Sequence, residues 1–437
     1  MSERELHLNI NILHSGFHVG AWRVPQSDPN AFIDVGHYVR TAQIAERGKL
    51  DAVFLADVPS FAERPEYRPY PALEPTIILA TVAAHTSQIG VIGTASTSFN
   101  DPYNIARRFG SLDLASNGRA GWNIVTTADP GAARNFGLDA AIAHHERYER
   151  AAEFADVVTR LWDSWEDGAL VADKASGRFV DVGRVHAIDH AGKHFQVRGP
   201  LNVPRSRQGR PVLVQAGGSE DGRELAARHA EAIFSVALTQ EDALAFAADV
   251  TARAKALGRA RGPLFLPGLA TLIGSTEAEV KRREDELWDV FPLEFGLQRI
   301  AGTFQIDPAR LSYDEPLPDD IEIPKDGGHT FAQATLAVAR SEGLTVREIL
   351  RRLGTGGGHR FIAATPEVLA DDIEAWFLSG AADGFNLMPD VLPDGLEVFV
   401  DHVVPLLQRK GIFRTEYRGD TLRDHFGLSR TESALRR

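Results

Sequence analysis

The chain has 437 residues, of which 43% are apolar and 24% are charged, as is usual for a globular protein. Its 47 Lys and Arg residues against 60 Asp and Glu residues give a net charge of −13, which argues against a nucleic-acid-binding or membrane-surface protein. The absence of cysteine excludes disulfides, thiolate metal ligands and cysteine nucleophiles, and it agrees with a cytoplasmic protein. The first residues show no signal-peptide pattern, and no run of about 20 apolar residues predicts a membrane span.

Strand-like and helix-like segments alternate along the chain, which is typical of a parallel sheet with crossover helices. Eight short apolar runs are predicted as strands: Leu6–Leu13, Ala52–Ala56, Ile89–Ala95, Ala120–Val125, Val212–Ala216, Ala232–Val236, Leu266–Ile273 and Gly384–Met388. Segments with apolar residues at helical spacing are predicted as helices: Val35–Arg47, Thr76–Ala84, Ile105–Leu114 and Tyr148–Trp165. About eight such units favour an α/β fold of the (β/α)8 TIM barrel type over an open sheet, because wholly apolar strands are buried on both faces.

Two segments interrupt this alternation. Residues 167–211 are rich in Gly, Val and His and are predicted to form β-hairpins. Residues 291–358 contain a stretch rich in Pro and Asp (Asp314–Lys325), then a helix, then the glycine run Gly354–Gly358. Both segments are interpreted as insertions in barrel loops, so that residues 1–437 form a single domain.

Polar side chains come directly after the predicted strands. They are Asp57, Ser96, Thr97, Asn123, Thr126 and Ser219. A barrel builds its active site at the carboxyl ends of its strands, and an open doubly wound sheet follows a similar rule. The pattern therefore locates a site more firmly than it distinguishes the two folds.

Two predicted helix starts carry groups that could hold a phosphate. In the first, Gly217 and Gly218 follow a strand and permit close backbone approach, and Ser219 adds a hydroxyl before a helix whose first N–H groups are free. In the second, His144 and Tyr148 lie one turn apart on the long helix and can both donate hydrogen bonds to an anion. Plain helix capping remains the alternative for both.

Three further signals have competing interpretations. Asp57, at a strand end, could accept a hydrogen bond from a ligand or cap the next helix. The spacing of His186, His190 and His194 would suit a metal site on a helix, but the neighbouring residues favour a hairpin with structural histidines. The run Gly354–Gly358 resembles a phosphate loop but lacks its Lys-Ser/Thr, so a hinge is the preferred interpretation.

Short segments spread over nearly the whole chain match one family. They are Gly20–Arg23, Glu46–Asp51, Phe54–Asp57, Ala106–Phe109, Gly118–Thr127, Asn135–Gly137, Arg147–Ala151, Val185–His186, Gly199–Leu201, Gln215–Gly217 with Ser219, Gly384–Asn386 and Phe413–Arg418. Together they resemble the bacterial-luciferase-like flavin monooxygenases. More narrowly, they resemble the branch with the nitrilotriacetate, dibenzothiophene-sulfone, long-chain-alkane and pristinamycin-synthase monooxygenases.

The resemblance implies a (β/α)8 barrel with insertions and a two-component monooxygenase. A separate NAD(P)H:flavin reductase would supply reduced FMN, either transiently bound or by diffusion, and O2 would be the co-substrate. The C4a-peroxyflavin formed from them would transfer one oxygen atom to a small organic substrate. The family also implies a homo-oligomer, a dimer or tetramer.

The resemblance also implies which residues of this chain bind the cofactor, because they match the family's flavin-contacting positions. They are Asp57, Thr94, Ser96, Asn123, His144, Tyr148, Gly218 and Ser219. His144, Tyr148 and Ser219 would face the phosphate of FMN. Related barrels carry a non-proline cis peptide that would here lie near Ala95–Ser96.

Two other functions stay open at this point: a deazaflavin-dependent oxidoreductase of the same barrel superfamily, and a non-catalytic flavin-binding protein. The Trp122–Asn123 pair and the helix with His144 favour FMN. The substrate class is open between sulfones, alkanes, amine-carboxylates and thioethers. Arg64 and Arg68 could meet an acidic substrate, or they could be solvated surface residues.

Overall fold

The structure is a computed structural model that describes residues 4–61, 65–323, 329–353 and 358–433. Within these ranges the strands are β1 His7–Asn11, β2 Ala52–Leu55, β3 Gly90–Ser96, β4 Ala120–Val125, β5 Leu170–Asp173, β6 Arg178–Val180, β7 His190–Ala191, β8 Gln196–Val197, β9 Val212–Gln215, β10 Ala232–Ile233, β11 Leu264–Phe265, β12 Gly268–Ile273, β13 Arg360–Ala364 and β14 Gly384–Pro389.

The α-helices of the same ranges are α1 Val35–Arg47, α2 Pro75–Ala84, α3 Pro102–Ala115, α4 Pro130–Asn135, α5 His144–Trp162, α6 Glu220–His229, α7 Gln240–Ala256, α8 Glu277–Asp289, α9 Leu293–Phe304, α10 His329–Glu342, α11 Val346–Leu353, α12 Pro366–Leu378, α13 Asp394–Val398, α14 Val404–Arg409 and α15 Leu422–His425. In the part of the chain that the structure describes, none of these helices is both long enough and apolar enough to cross a bilayer.

One parallel sheet organises the molecule. Its strands follow the order β11-β10-β9-β4-β3-β2-β1-β14-β12-β13, and each neighbouring pair is parallel. All eight predicted strands belong to this sheet, and β1, β2, β3 and β9 are buried along their whole length. The predicted α/β architecture with crossover helices is therefore confirmed.

The strand count differs from the eight of the predicted barrel. The predicted strand Leu266–Ile273 begins only at Gly268, as β12, and the short strand β11 precedes it. Pro267, between the two, has no N–H to donate to a ladder. The strand β13, which was not predicted, pairs with β12. Asp383 N donates to Phe265 O at 2.9 Å and Asn386 N donates to Pro267 O at 3.1 Å, so the start of β14 also contacts the chain at β11. The sheet thus has ten strands, and these bonds link β11, at one end of the strand order, to β14.

Local signals account for where the helices begin. The Asp34 side chain accepts from Gly36 N at 2.9 Å before α1, whose bounds are those predicted. The Asp101 side chain accepts a hydrogen bond from Tyr103 N before α3. Pro102 occupies the first helical position, where a backbone N–H would have no partner within the helix. The helix α5 begins at His144, so that residue and Tyr148 do share one helix, as predicted.

The two insertions differ in kind. Residues 167–211 contain the antiparallel pairs β5–β6 and β7–β8, which confirms the predicted hairpins. Residues 291–358 contain α9, α10 and α11, although only one helix was predicted there. Their buried apolar side chains form a separate cluster that also includes Val19, from the connection after β1. Residues 324–328 and 354–357, with most of the glycine run, lie outside the described residues.

A buried ionic network ties the C-terminal tail to the amino ends of the strands. Arg414 donates to Asp51 Oδ1 at 2.6 Å and to Glu5 Oε1 at 2.8 Å. Asp51 is fully buried and also accepts from Leu8 N at 2.7 Å, and its Oδ1 lies 3.0 Å from His7 Nδ1. Burial by itself raises the pKa of Asp51, but Arg414 and His7 outweigh it and hold this pKa below 3.8.

Replacing this carboxylate should destabilise the fold strongly. The substitution Asp51→Asn leaves the buried Arg414 guanidinium with Glu5 as its only carboxylate partner, and we expect the free energy of unfolding in urea to fall by about 3 kcal/mol. The exposed pair of Arg40 and Asp34 gives a matched control, because Arg40→Gln should cost less than about 1 kcal/mol.

The pH dependence supplies a second readout of the same network. Because the folded-state pKa of Asp51 is depressed, its contribution is present above pH 3.8 and is lost as the pH falls further. The Asp51→Asn variant should therefore lose less free energy of unfolding than the native protein as the pH falls below 3.8. An Asp51→Asn variant as stable as the native protein at pH 7 would contradict this account.

Candidate active site

Four of the predicted site residues lie together at the carboxyl edge of the sheet. The strands β2, β3 and β4 are parallel neighbours, so their carboxyl ends meet there. Asp57 lies two residues beyond β2, Ser96 ends β3, and Asn123 in β4 pairs in register with Thr94. Thr94, Ser96 and Asn123 are each at most 3% exposed. The structure therefore brings these side chains together, as the strand pattern predicted.

Asn123 presents a buried hydrogen-bond acceptor at this edge. Its Nδ2 group donates to Thr94 Oγ1 at 2.8 Å, whereas its Oδ1 atom has no hydrogen-bond partner within the described residues. Gln215, at the end of the neighbouring strand β9, has an Oε1 atom in the same state. Leaving such an atom unpaired costs about 1–3 kcal/mol, so both oxygens favour a ligand with N–H donors. Sequence analysis missed Gln215 as a site residue, although its position at a strand end was a usable signal.

Ser96 links the ends of β3 and β4. Its Oγ atom accepts from Thr127 Oγ1 at 2.8 Å and keeps its own proton free to donate elsewhere. The expected cis peptide near Ala95–Ser96 is wrong, because the regular parallel ladder continues through Ser96. Among the described residues the cis bonds are Gly199–Pro200 and Leu392–Pro393.

Asp57 is a carboxylate that titrates close to neutral pH. Burial, and then the nearby Glu74, raise the pKa of Asp57 to about 6 against the opposing effect of Arg108. The following helix α2 is capped by Glu74, whose side chain accepts from Ile77 N, so the alternative role of Asp57 as helix cap is excluded. Asp57 lines an open cleft of about 510 Å³ together with Phe61 and other side chains.

The starts of α5 and α6 face the same space. Ser219 is the N-cap of α6, and its Oγ atom accepts from Gly222 N at 3.1 Å. The same Oγ lies 3.5 Å from Tyr148 OH, and the Tyr148 and His144 rings have centroids 4.9 Å apart. Capping uses a lone pair of Ser219 and leaves its O–H group able to donate. The structure therefore brings together the two helix starts that the sequence predicted separately as possible phosphate sites.

Open space lies over the glycine turn before α6. A Cβ atom added at Gly218 would meet nothing within 4 Å, whereas one at Gly217 would lie 2.5 Å from Gln215 Nε2. The first N–H groups of a helix point outward and carry partial positive charge, which attracts phosphate. The space over Gly218 can thus admit an anion to the start of α6.

Two charged residues modify this end of the site. His144 Nε2 lies 3.3 Å from Asp221 Oδ2, so an anion would compete with this carboxylate for the imidazole. Arg223, in the first turn of α6, donates to Asp249 Oδ2 at 2.8 Å and to Gly218 O at 3.0 Å. Its guanidinium is therefore engaged away from the space over Gly218.

The three histidines at metal-like spacing do not converge. His186 Nε2 lies 2.7 Å from Glu166, while His190 Nε2 lies 2.9 Å from Glu153. His194 Nε2 lies 3.6 Å from a third carboxylate, on another residue of α5. Each imidazole thus lies beside a different carboxylate, two of them in α5, so the three side chains do not share one helical face. Over the described ranges no group of three or more His, Cys, Asp or Glu side chains could hold a metal ion.

Comparison with known proteins identifies the family. The profile of the luciferase-like monooxygenases matches residues 13–382. Nitrilotriacetate monooxygenase component A from Aminobacter aminovorans is 43% identical over 448 residues, which cover 99% of each chain. The structure of the EDTA monooxygenase EmoA from Chelativorans sp. BNC1 superposes with a TM-score of 0.87 at 38% identity, over 99% of this chain and 100% of that one. A riboflavin lyase, RcaE, solved with modified FMN and riboflavin, gives 0.83 at 32% identity, over 99% and 98%.

These matches confirm the predicted family and the predicted monooxygenase activity. The resemblance that the sequence motifs indicated extends over nearly the full length of each relative. A monooxygenase is therefore favoured over the deazaflavin-dependent and non-catalytic alternatives. The chain belongs to the luciferase-like monooxygenase family.

Proposed function

We propose that this protein is the oxygenase component of a two-component flavin monooxygenase. It takes reduced FMN from a separate NAD(P)H:flavin reductase and uses O2 to place one oxygen atom in a small organic substrate. The observation that carries the proposal is the meeting of the α5 and α6 starts, with Tyr148 OH 3.5 Å from Ser219 Oγ, beside the buried polar strand ends. This arrangement offers a phosphate site and a ring site at one edge of the sheet.

The phosphate end of the cofactor would lie at the two helix starts. Ser219 and Tyr148 supply hydroxyl donors, His144 supplies a ring donor, and Gly218 leaves room for the anion above the α6 N–H groups. A charged acceptor strengthens each such hydrogen bond. The residues present therefore fit a phosphate monoester better than a neutral group.

The flavin ring would lie across the ends of β2, β3 and β4. The unpaired Oδ1 of Asn123 and the ionised Asp57 would accept hydrogen bonds from ring N–H groups, and Thr94 and Ser96 would contact the ring edge. The ring, when bound in its reduced form, supplies the reaction with O2. The side chains of this protein bind and orient it, and the buried strand ends keep water from the reacting atoms.

The wider architecture follows from the same proposal. Residues 1–437 would form one luciferase-like domain, a (β/α)8 barrel closed through β11 and β14, with insertions at about 167–211 and 291–358. The name "component A" of the nitrilotriacetate relative supports a partner reductase, and the modified FMN in the RcaE structure supports FMN. We further propose a homo-oligomer, a dimer or tetramer, that acts in the cytoplasm, where NAD(P)H supplies the reductase.

Cofactor choice tests the proposed function directly. We expect reduced FMN to bind far more tightly than NADH or a reduced deazaflavin in anaerobic fluorescence titrations. On mixing with O2 in a stopped-flow instrument, the bound flavin should form oxidised FMN more slowly than free reduced FMN, because a dry site shields the reaction. Preference for the deazaflavin, or oxidation at the rate of the free flavin, would refute the proposal.

Two hydroxyl deletions test the phosphate site. Ser219→Ala and Tyr148→Phe should each weaken FMN binding roughly tenfold to a hundredfold, since a hydrogen bond to a charged group contributes about 1.5–3 kcal/mol. Isothermal titration calorimetry measures the change. Riboflavin lacks the phosphate, so its weaker binding should be unaffected by either substitution.

A matched control separates binding from helix capping. Thr239 caps α7 as Ser219 caps α6, with its side chain accepting from Asp242 N at 3.1 Å. Thr239→Ala therefore removes a comparable cap and should leave FMN affinity unchanged. Equal losses for FMN and riboflavin in Ser219→Ala would show that the residue is only structural.

The titration of Asp57 predicts a pH dependence of ring binding. Because the pKa of Asp57 is raised to about 6, the carboxylate acceptor is lost as the pH falls through 6, and affinity should decline below that pH. Oxidised riboflavin is the suitable probe, because the phosphate of FMN titrates near the same pH. Asp57→Asn should remove the decline between pH 7 and 5, and a decline unchanged in that variant would assign it to another group.

A further inference from the structure

Three polar residues from separate stretches of the chain are joined by backbone hydrogen bonds. Thr271 lies in β12, Asp390 directly follows β14, and His18 lies in the connection between β1 and α1. Asp390 N donates to Thr271 O at 2.9 Å, and His18 N donates to Asp390 O at 3.1 Å. These two bonds hold the three residues side by side. None of them belongs to the proposed cofactor site.

Each of the three side chains has one buried polar atom without a hydrogen-bond partner among the described residues. These atoms are His18 Nε2, Thr271 Oγ1 and Asp390 Oδ1. The residues are at most 4% exposed, so bulk solvent does not reach them. Buried polar atoms of folded proteins nearly always have a partner, which is either a protein group or an ordered water molecule. Three such atoms on neighbouring residues therefore indicate a ligand that they share.

The other polar atoms of these side chains determine what the ligand must offer. His18 Nδ1 accepts from Gly20 N at 3.1 Å, and burial lowers the pKa of His18 to about 4, so the neutral ring carries its proton on Nε2. Asp390 Oδ2 accepts from Arg283 at 2.8 Å. Burial raises the pKa of Asp390 to about 6 against the opposing effect of Arg283, so the carboxylate is mostly ionised at pH 7. The shared ligand must therefore accept from His18 and donate to Asp390.

A small cavity lies between the same three residues. His18, Thr271 and Asp390 all line it, and its volume is about 20 Å³. Glu284 and Arg351 line it as well, and the other lining side chains are apolar. About 10–15 Å³ is enough for one water molecule, provided that it finds two to four polar partners. Over the described ranges no group of three or more His, Cys, Asp or Glu side chains could hold a metal ion, so water is the ligand that fits.

We propose that this cavity is a binding site for one water molecule, which accepts a hydrogen bond from His18 Nε2 and donates to Asp390 Oδ1 and Thr271 Oγ1. A bridging water stabilises a contact nearly as well as a direct hydrogen bond does. The water thereby fastens the connection after β1 to the carboxyl ends of β12 and β14. His18 is a positioning residue in this scheme, because it acts on the connection through the water. The proposal goes beyond the proposed function and is independent of the flavin and of the substrate.

The fastened connection contacts two other parts of the molecule. Trp22 Nε1 donates to Tyr67 O at 3.1 Å, and Tyr67 lies in the connection between β2 and α2, which also contains Asp57. Arg23 donates to Val290 O at 2.8 Å, at the end of α8 and directly before the insertion 291–358. A water that fixes the connection after β1 would therefore also fix the position of both neighbours.

A high-resolution crystal structure tests the site directly. We expect one density peak within about 3.2 Å of His18 Nε2, Asp390 Oδ1 and Thr271 Oγ1, at the distances of ordinary hydrogen bonds. In a crystal of Thr271→Val the same peak should be weaker, because the water loses one of its three partners. A cavity without density in the native protein, or a metal ion with ligand distances of about 2.0–2.2 Å, would overturn the proposal.

Hydrogen exchange measured by mass spectrometry tests the fastening of the connection. His18→Phe removes the donor to the water and should speed the exchange of residues 14–24 roughly threefold to tenfold. His18→Gln keeps an N–H donor near the position of Nε2 and should restore most of the protection. Equally fast exchange in His18→Phe and His18→Gln would overturn the positioning role of the imidazole. If His18→Phe fails to fold, the comparison of the native protein with Thr271→Val, which should also exchange faster here, decides.

A second buried histidine gives a matched control. His425 lies in α15, is 3% exposed, and has a pKa that burial lowers to about 4, so it resembles His18 in burial and charge. His425→Phe makes the same chemical change at the amino ends of the strands and should leave the exchange of residues 14–24 unchanged. Acceleration of that segment in His425→Phe as large as in His18→Phe would assign the effect to general destabilisation and overturn the proposal.

Discussion

The parallel ladder of the main sheet is the constraint on which the site depends. Hydrogen bonds between parallel strands give every strand one direction, so all carboxyl ends open at a single edge. Apolar side chains bury the strands themselves, which leaves that edge as the place where polar groups can collect. Asp57, Thr94, Asn123 and Gln215 are neighbours for this reason, although they are distant in the chain.

The carboxyl edge of the sheet divides into two sectors that carry different kinds of polar group. Around β3, β4 and β9 it offers acceptors to a ring and helix N-termini to a phosphate. After β1 it offers the buried imidazole of His14, whose Nδ1 atom has no hydrogen-bond partner among the described residues.

The polar groups that stabilise the fold and those that could bind ligands lie at opposite ends of the strands. At the amino ends, Asp51 and Arg414 form a buried ion pair that joins the C-terminal tail to β1. At the carboxyl ends, Asn123 and Gln215 keep unpaired oxygens, and His14 and Arg68 keep unpaired nitrogens. Each such atom reduces stability by about 1–3 kcal/mol unless a ligand or water binds it. An active site tolerates this cost because the unpaired atoms are the ones that recognise ligands.

The sequence by itself determined the eight core strands, the bounds of α1, the hairpins of 167–211 and the family, because apolar periodicity and turn residues act over short distances. It also placed Asp57, Asn123 and Ser219 at element ends. Only the tertiary structure decided that Tyr148 approaches Ser219 and that β13 joins the sheet. Those contacts join residues that are far apart in the chain, so no local sequence pattern encodes them. The burial that raises the pKa of Asp57 depends on the same long-range packing.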